Sequence, residues 1–231
     1  KNVAANQGVA LSSLSGLALG TSGNGGLSTN YNAITTTGSS VTVTKADAVV
    51  TANSRTTTYS GVSQAVTGFT ATGLVGTETT AVLTGVTTSG GSGTNAGSYT
   101  HTASGTDSNY NLSFVDGALT IQKANATVTA NSRTTTYSGL GQSVTGFTAT
   151  GLVGGETTSV LTGVSTSGGS GTNAGSYTHT ASGSDGNYNL TFVSGALTIN
   201  KANLTLSGTR VYDSGTTFAG QYLTATGVNG E

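Results

Sequence analysis

The chain has 231 residues, a formal net charge of −1 and only 6% charged residues, and it contains no Cys, Met, Trp or Pro. Seven Lys and Arg scattered over such a length cannot form the basic stripe that displaces counterions, which excludes a nucleic-acid binder. The missing cysteines exclude a disulfide framework and a thiolate metal site, and no apolar run approaches the ~20 residues of a membrane span.

Thr (48), Ser (29) and Gly (37) make up close to half the chain, yet the apolar alternation between them points to folded β-structure rather than disorder. Residues 9–20 (VALSSLSGLALG) have the length of a signal-peptide core. They lack a basic flank and are interrupted by Ser and Gly, so they read as strand. Asn30-Tyr31-Asn32 followed by residues 40–44 (SVTVT) has the form of a module ending, so residues 1–44 read as the closing half of a module.

Residues 45–122 then recur, without a gap, as residues 123–200, matching at 65 of 78 positions. A period of this length without helical patterning indicates an array of small β domains rather than a solenoid. Within the first copy the strand signals fall at 48–53, 66–72, 80–86, 98–103, 110–115 and 118–122, separated by turn residues. Asp116-Gly117 between the last two predicts a tight hairpin with positive φ. It would pair Phe114 with Leu119 and Leu112 with Ile121 on one face, and Ser194-Gly195 would form the same turn in the second copy. Loops 89–97 and 167–175, rich in Gly, Ser and Asn, are expected to be mobile.

At the boundary the apolar positions change parity. Leu119 and Ile121 point inward, and then Ala124, Ala126, Val128 and Ala130 do, so the core side switches at Lys123. One copy therefore runs into the next without a linker, and a stiff array is expected. Residues 201–231 open as a module does (KANLT), then diverge. The fold expected for each whole copy is an antiparallel, immunoglobulin-like β-sandwich, with a β-grasp fold as the alternative. Its core should include Val50, Phe69, Leu83, Leu112, Phe114, Leu119 and Ile121. The end pieces should leave apolar side chains without a full core: Val9, Leu11, Leu14, Leu17 and Leu19 at one end, and Leu204, Leu206 and Val211 at the other.

Lys123-Ala124, Thr136-Tyr137-Ser138-Gly139, Ala174-Gly175-Ser176-Tyr177, Asn187-Tyr188-Asn189 and residues 195–199 (GALTI) together resemble the MBG modules of the YGX type, with Tyr-Ser-Gly where Tyr-Gly is usual. Residues 210–217 (RVYDSGTT) and 1–44 resemble the companion YDG-type module. The chain is thus similar to tandem arrays in large bacterial surface adhesins of the filamentous-haemagglutinin type, exported by two-partner secretion. The resemblance implies an extracellular, cell-surface stalk that attaches cells to one another, to matrix or to surfaces. It also implies further repeats of the same protein as partners, with self-association into a filament among the options, and no cofactor.

Several side chains invite a chemical reading. His101 and His179, one per copy, have no second His or Cys for zinc or for a nucleophile–base pair, so a structural role is expected. Glu78 with Asp107 or Asp116 could mimic a glycosidase pair, but Asp116 becomes Ser194 in the second copy, which argues against an enzyme. Arg55–Glu78 and Arg133–Glu156 suggest surface ion pairs. The carboxylates are too dispersed for a calcium loop. Lys45, Lys123 and Lys201 lie at module starts, poor places for a buried isopeptide link. Asn111, Asn125, Asn189 and Asn203 open glycosylation sequons. Tyr59, Tyr99, Tyr137 and Tyr177, beside polar loops, are the candidate contacts for a glycan or other cell-surface ligand, the alternative function. Ice binding by Thr arrays is a remoter one.

Overall fold

The structure, a computed structural model, describes residues 4–8, 40–217 and 219–230. The expectations for residues 9–39 lie outside these. The described chain is all-β, with three-residue 3-10 turns as its helical elements. The described residues form several small, mostly antiparallel sheets repeated in tandem, the all-β class expected, with parallel pairs among them that the antiparallel expectation did not include. No helix among the described residues is long and apolar enough to cross a membrane.

The backbone divides into two compact units. The second copy lies wholly in the second unit, which also takes in Thr56–Gln64 and Gly93–Ser98 of the first copy. Within the second copy, Ala124–Ala130 is the central strand of a three-stranded sheet. It is antiparallel to Phe147–Thr150 on one side and parallel to Tyr188–Val193 on the other. A four-stranded sheet runs in the order Arg133–Thr136, Gly195–Asn200, Gly175–Gly183, Val164–Gly168. Its first pair is parallel and the other two are antiparallel. In the loop expected to be mobile, Ser170–Gly171 is instead paired with Gln142–Ser143.

The first copy repeats this plan in the first unit. Ala46–Ala52 lies between Phe69–Thr72 and a parallel Tyr110–Val115, and Val86–Gly90 pairs antiparallel with Gly97–Gly105. Side-chain alternation explains the packing: Ala48, Val50 and Ala52 point inward to Leu83, Val86, Ala103 and Tyr110. Burying each large apolar member contributes about 1.5–3 kcal/mol. The second unit holds an apolar cluster of Val144, Leu197 and Ile199, with Tyr137 and Tyr177 packed against it.

The expected closing hairpin is not formed. Tyr110–Val115 and Gly117–Gln122 belong to different sheets, as do Tyr188–Val193 and Gly195–Asn200. The non-glycine residues with positive φ among those described are Ser214 and Asn229, so Asp116 lacks the conformation a hairpin turn would need. The glycine is there for another reason. A Cβ at Gly117 would sit 2.3 Å from the Ala52 carbonyl oxygen and 2.4 Å from that of Asn53. Two chain segments change sheets side by side at this point, and only a residue without a side chain lets the backbones approach. The predicted Phe114–Leu119 and Leu112–Ile121 pairs therefore do not exist. Val50, Leu83, Leu119 and Ile121 are buried as expected, and Phe69 and Leu112 are half-buried against the core. Phe114 is 37% exposed, because Tyr110–Val115 is an edge strand.

The parity switch holds. Leu119 and Ile121, then Ala124, Ala126, Val128 and Ala130, are buried. Beyond Lys201, Thr205–Gly208 pairs with Leu223–Thr226, and Leu204, Leu206 and Val211 are exposed, as expected of a piece without its own core.

Candidate functional site

Polar side chains converge within the second unit on one carboxylate, that of Glu156. The construction begins with Asp185, whose Oδ1 accepts the backbone N–H groups of Asn187 (2.7 Å) and Tyr188 (3.1 Å), an Asx-type turn that fixes where the next strand starts. Lys123 locks the same turn from the module boundary, its Nζ donating to the Asp185 carbonyl at 2.6 Å. Tyr188 is thereby sent into the interior, 2% exposed. Its hydroxyl accepts the Val153 N–H at 2.9 Å and donates to Glu156 Oε2 at 2.5 Å. Glu156 is presented by a tight turn in which its N–H donates to the Val153 carbonyl at 3.0 Å.

Tyr59 completes the arrangement. Its N–H donates to the Gln122 carbonyl, and its hydroxyl donates to Glu156 Oε1 at 2.5 Å. Its ring meets that of Tyr188 edge to face, with centroids 5.4 Å apart at 81°, a favourable quadrupolar geometry. Gly61, with φ +76°, lies beside Glu156 and Val153, where the turn needs a left-handed residue. A second contact runs alongside: Asn187 Oδ1 accepts the Ala96 N–H at 2.8 Å, and Asn187 Nδ2 donates to Asn95 Oδ1 at 3.2 Å.

The electrostatics follow from the geometry. The hydrogen bond to Glu156 first, then burial, then the negative charge of Glu156 push the Tyr59 hydroxyl up to about 12. Tyr188 is raised as well, by burial first and by the same carboxylate second. Both phenols are thus favoured in the neutral form, and their two hydroxyls clasp the two oxygens of one carboxylate.

The four candidate glycan tyrosines differ in their surroundings. Tyr59 is 7% exposed, with its hydroxyl engaged by Glu156. Tyr177 and Tyr137 pack on the Val144–Leu197–Ile199 cluster. The Tyr177 ring covers Gly171, and its hydroxyl donates to the Asn173 carbonyl at 2.9 Å. Tyr99 is half-buried. Tyr137 lines an open groove of about 340 Å³ with Asn173, Ala174 and Lys201. A larger groove beside the clasp, about 720 Å³, is lined by Thr58, Gln122, Lys123, Asn125 and Asn189 and by none of the four tyrosines.

The remaining candidates serve the scaffold. His101 and His179 are 1% exposed, each with Nδ1 2.8 Å from a carbonyl oxygen, of Asn53 and Asn131 respectively. A carbonyl can only accept, so Nδ1 carries the proton. The anticipated Arg–Glu pairs are absent. Arg55 donates to the Ala65 carbonyl and Arg133 to that of Ser143, each at 3.0 Å, while Glu78 accepts the Tyr110 hydroxyl. Asp107 accepts from the backbone of Asn109 and Tyr110. Lys45 donates to the Asp107 carbonyl, and Asn111 is bonded to Asp47.

Sequence reasoning missed Glu156 as the partner of two tyrosines. The available signal was the glutamate repeated at Glu78 and Glu156 in a chain with eight acidic residues, each copy also carrying Asn-Tyr-Asn. A comparison with protein families finds the MBG domain (YGX type) twice, over residues 48–120 and 126–198. No curated protein matches the chain.

Proposed function

We propose that this chain, which belongs to the MBG domain family of the YGX type, is a non-enzymatic stalk segment of a large bacterial surface adhesin, exported by two-partner secretion and flanked by YDG-type pieces at residues 1–44 and 201–231. In this reading the repeats hold an adhesive element away from the cell, and further repeats are their main partners. The observation that carries it is Glu156, which takes a hydroxyl from Tyr188 of its own copy and another from Tyr59 of the preceding one. With one residue, Lys123, between the last strand of one copy and the first of the next, tandem copies are coupled by side chains instead of tethered by a linker. Such coupling serves a module whose task is to transmit position and force. The glycan-binding reading is disfavoured by Tyr59, whose ring and hydroxyl are both occupied.

Antibodies raised against residues 45–200 test the placement: they should label intact cells that produce the full protein. Labelling only after lysis would refute the surface assignment. A glycan array probed with the chain should stay blank, and saturable binding lost on Tyr137→Ala would restore the alternative.

A further inference from the structure

Two copies that match at 65 of 78 positions allow equivalent side chains to be compared in different surroundings. In the second copy Val153 and Glu156 are half-buried, next to Gly61 and Tyr59. In the first copy their equivalents face outward: Val75 is 59% exposed and Glu78 is exposed. The internal half of the site is nevertheless built in full. Tyr110 is 4% exposed, its hydroxyl accepts the Val75 N–H at 2.8 Å and donates to Glu78 Oε2, and Lys45 and Asp107 brace the turn as Lys123 and Asp185 do. Among the described residues nothing occupies the place beside Glu78 that Tyr59 takes beside Glu156. The turn residues 73–76 and 151–154 are identical, and the one substitution between the valine and the glutamate, Thr77 in the first copy against Gly155 in the second, is exposed in both.

We propose that the face of the first copy bearing Val75, Glu78 and Tyr110 is a docking face for another module of this kind, which inserts its Tyr-Ser-Gly loop and donates the tyrosine hydroxyl to Glu78 Oε1. The occupant is identified by chemistry already present in the second unit: an aromatic O–H to a carboxylate oxygen, an edge-to-face contact with the buried tyrosine, and a left-handed glycine over the valine. The face is directional. The carboxylate side of a module receives and the tyrosine side inserts, so modules add in one order. The inference rests on the coupling through Glu156.

The test compares the 231-residue chain with one carrying an additional copy of residues 45–122 between Thr44 and Lys45. The protein has no native thiol, so single cysteines report accessibility cleanly. Val75→Cys should react rapidly with a soluble maleimide in the 231-residue chain. In the extended chain it should slow by about tenfold or more, to the rate of Val153→Cys, because the thiol is reached only when the joint opens. Adding Glu78→Ala to the extended chain should return the rate towards the fast value. An unchanged Val75→Cys rate alongside a protected Val153→Cys would overturn the docking face and leave the coupling through Glu156 standing. A fast Val153→Cys in the 231-residue chain would overturn both.

Discussion

Glu156 accepts from two phenols with its two oxygens, and that sharing sets the pH behaviour of Tyr59. The folded-state value, about 12, lies above the ordinary value of 10.0, so folding favours the neutral phenol. The stability contributed by Tyr59 is therefore complete below pH 10 and is lost as the pH rises through 12. Urea unfolding followed from pH 9 to 12 should show this alkaline loss, and Tyr59→Phe should lessen it. A second prediction concerns glycine as a space requirement. Gly117→Ala should lose about 1–3 kcal/mol, since the new methyl meets two carbonyl oxygens held by sheet structure. Gly186→Ala, where nothing lies within 4 Å, should leave the melting temperature unchanged.

At the scale of the element, the paired crossing of strands between sheets organises each copy. In the second copy Asn131 anchors it: its N–H donates to the Gly146 carbonyl, its Nδ2 to the Thr145 carbonyl at 2.9 Å, and its carbonyl meets His179 Nδ1. Ser132 Oγ accepts the Ala196 N–H at 3.1 Å, tying the two crossing segments together. Asn131→Ala and Ser132→Ala should each cost about 1 kcal/mol or less in thermal melts, because each removes one exposed side-chain bond and leaves the backbone bonds of Asn131 in place. Strand positions were legible in the sequence because alternation and turn residues report which segments are extended. Pairing was not, since Asp-Gly is equally compatible with a hairpin and with a crossing that excludes Cβ. Residues 80–86, read as strand from their apolar spacing, contain the 3-10 turn Thr80–Val82 instead. It delivers Leu83, 2% exposed, to the core. Tyr59 drew attention for its aromatic surface, and its hydrogen-bond partner, Glu156, about a hundred residues away, leaves no local pattern to read.

For the whole molecule, the two copies and the segment after them differ in how much apolar surface they bury. Residues 204–211 expose Leu204, Leu206 and Val211, whereas residues 45–200 contain the apolar clusters. A protease selective for apolar residues should cut within 204–211 before it cuts within either copy, as peptide mapping by mass spectrometry can check. The central claim is that tandem copies are coupled through one carboxylate, and a double-mutant cycle measures that coupling most directly. Urea unfolding of the parent chain, Tyr59→Phe, Glu156→Gln and the double variant should give a coupling energy of about 1 kcal/mol or more, as a charge-assisted hydrogen bond requires. Losses that add to within about 0.3 kcal/mol would contradict it.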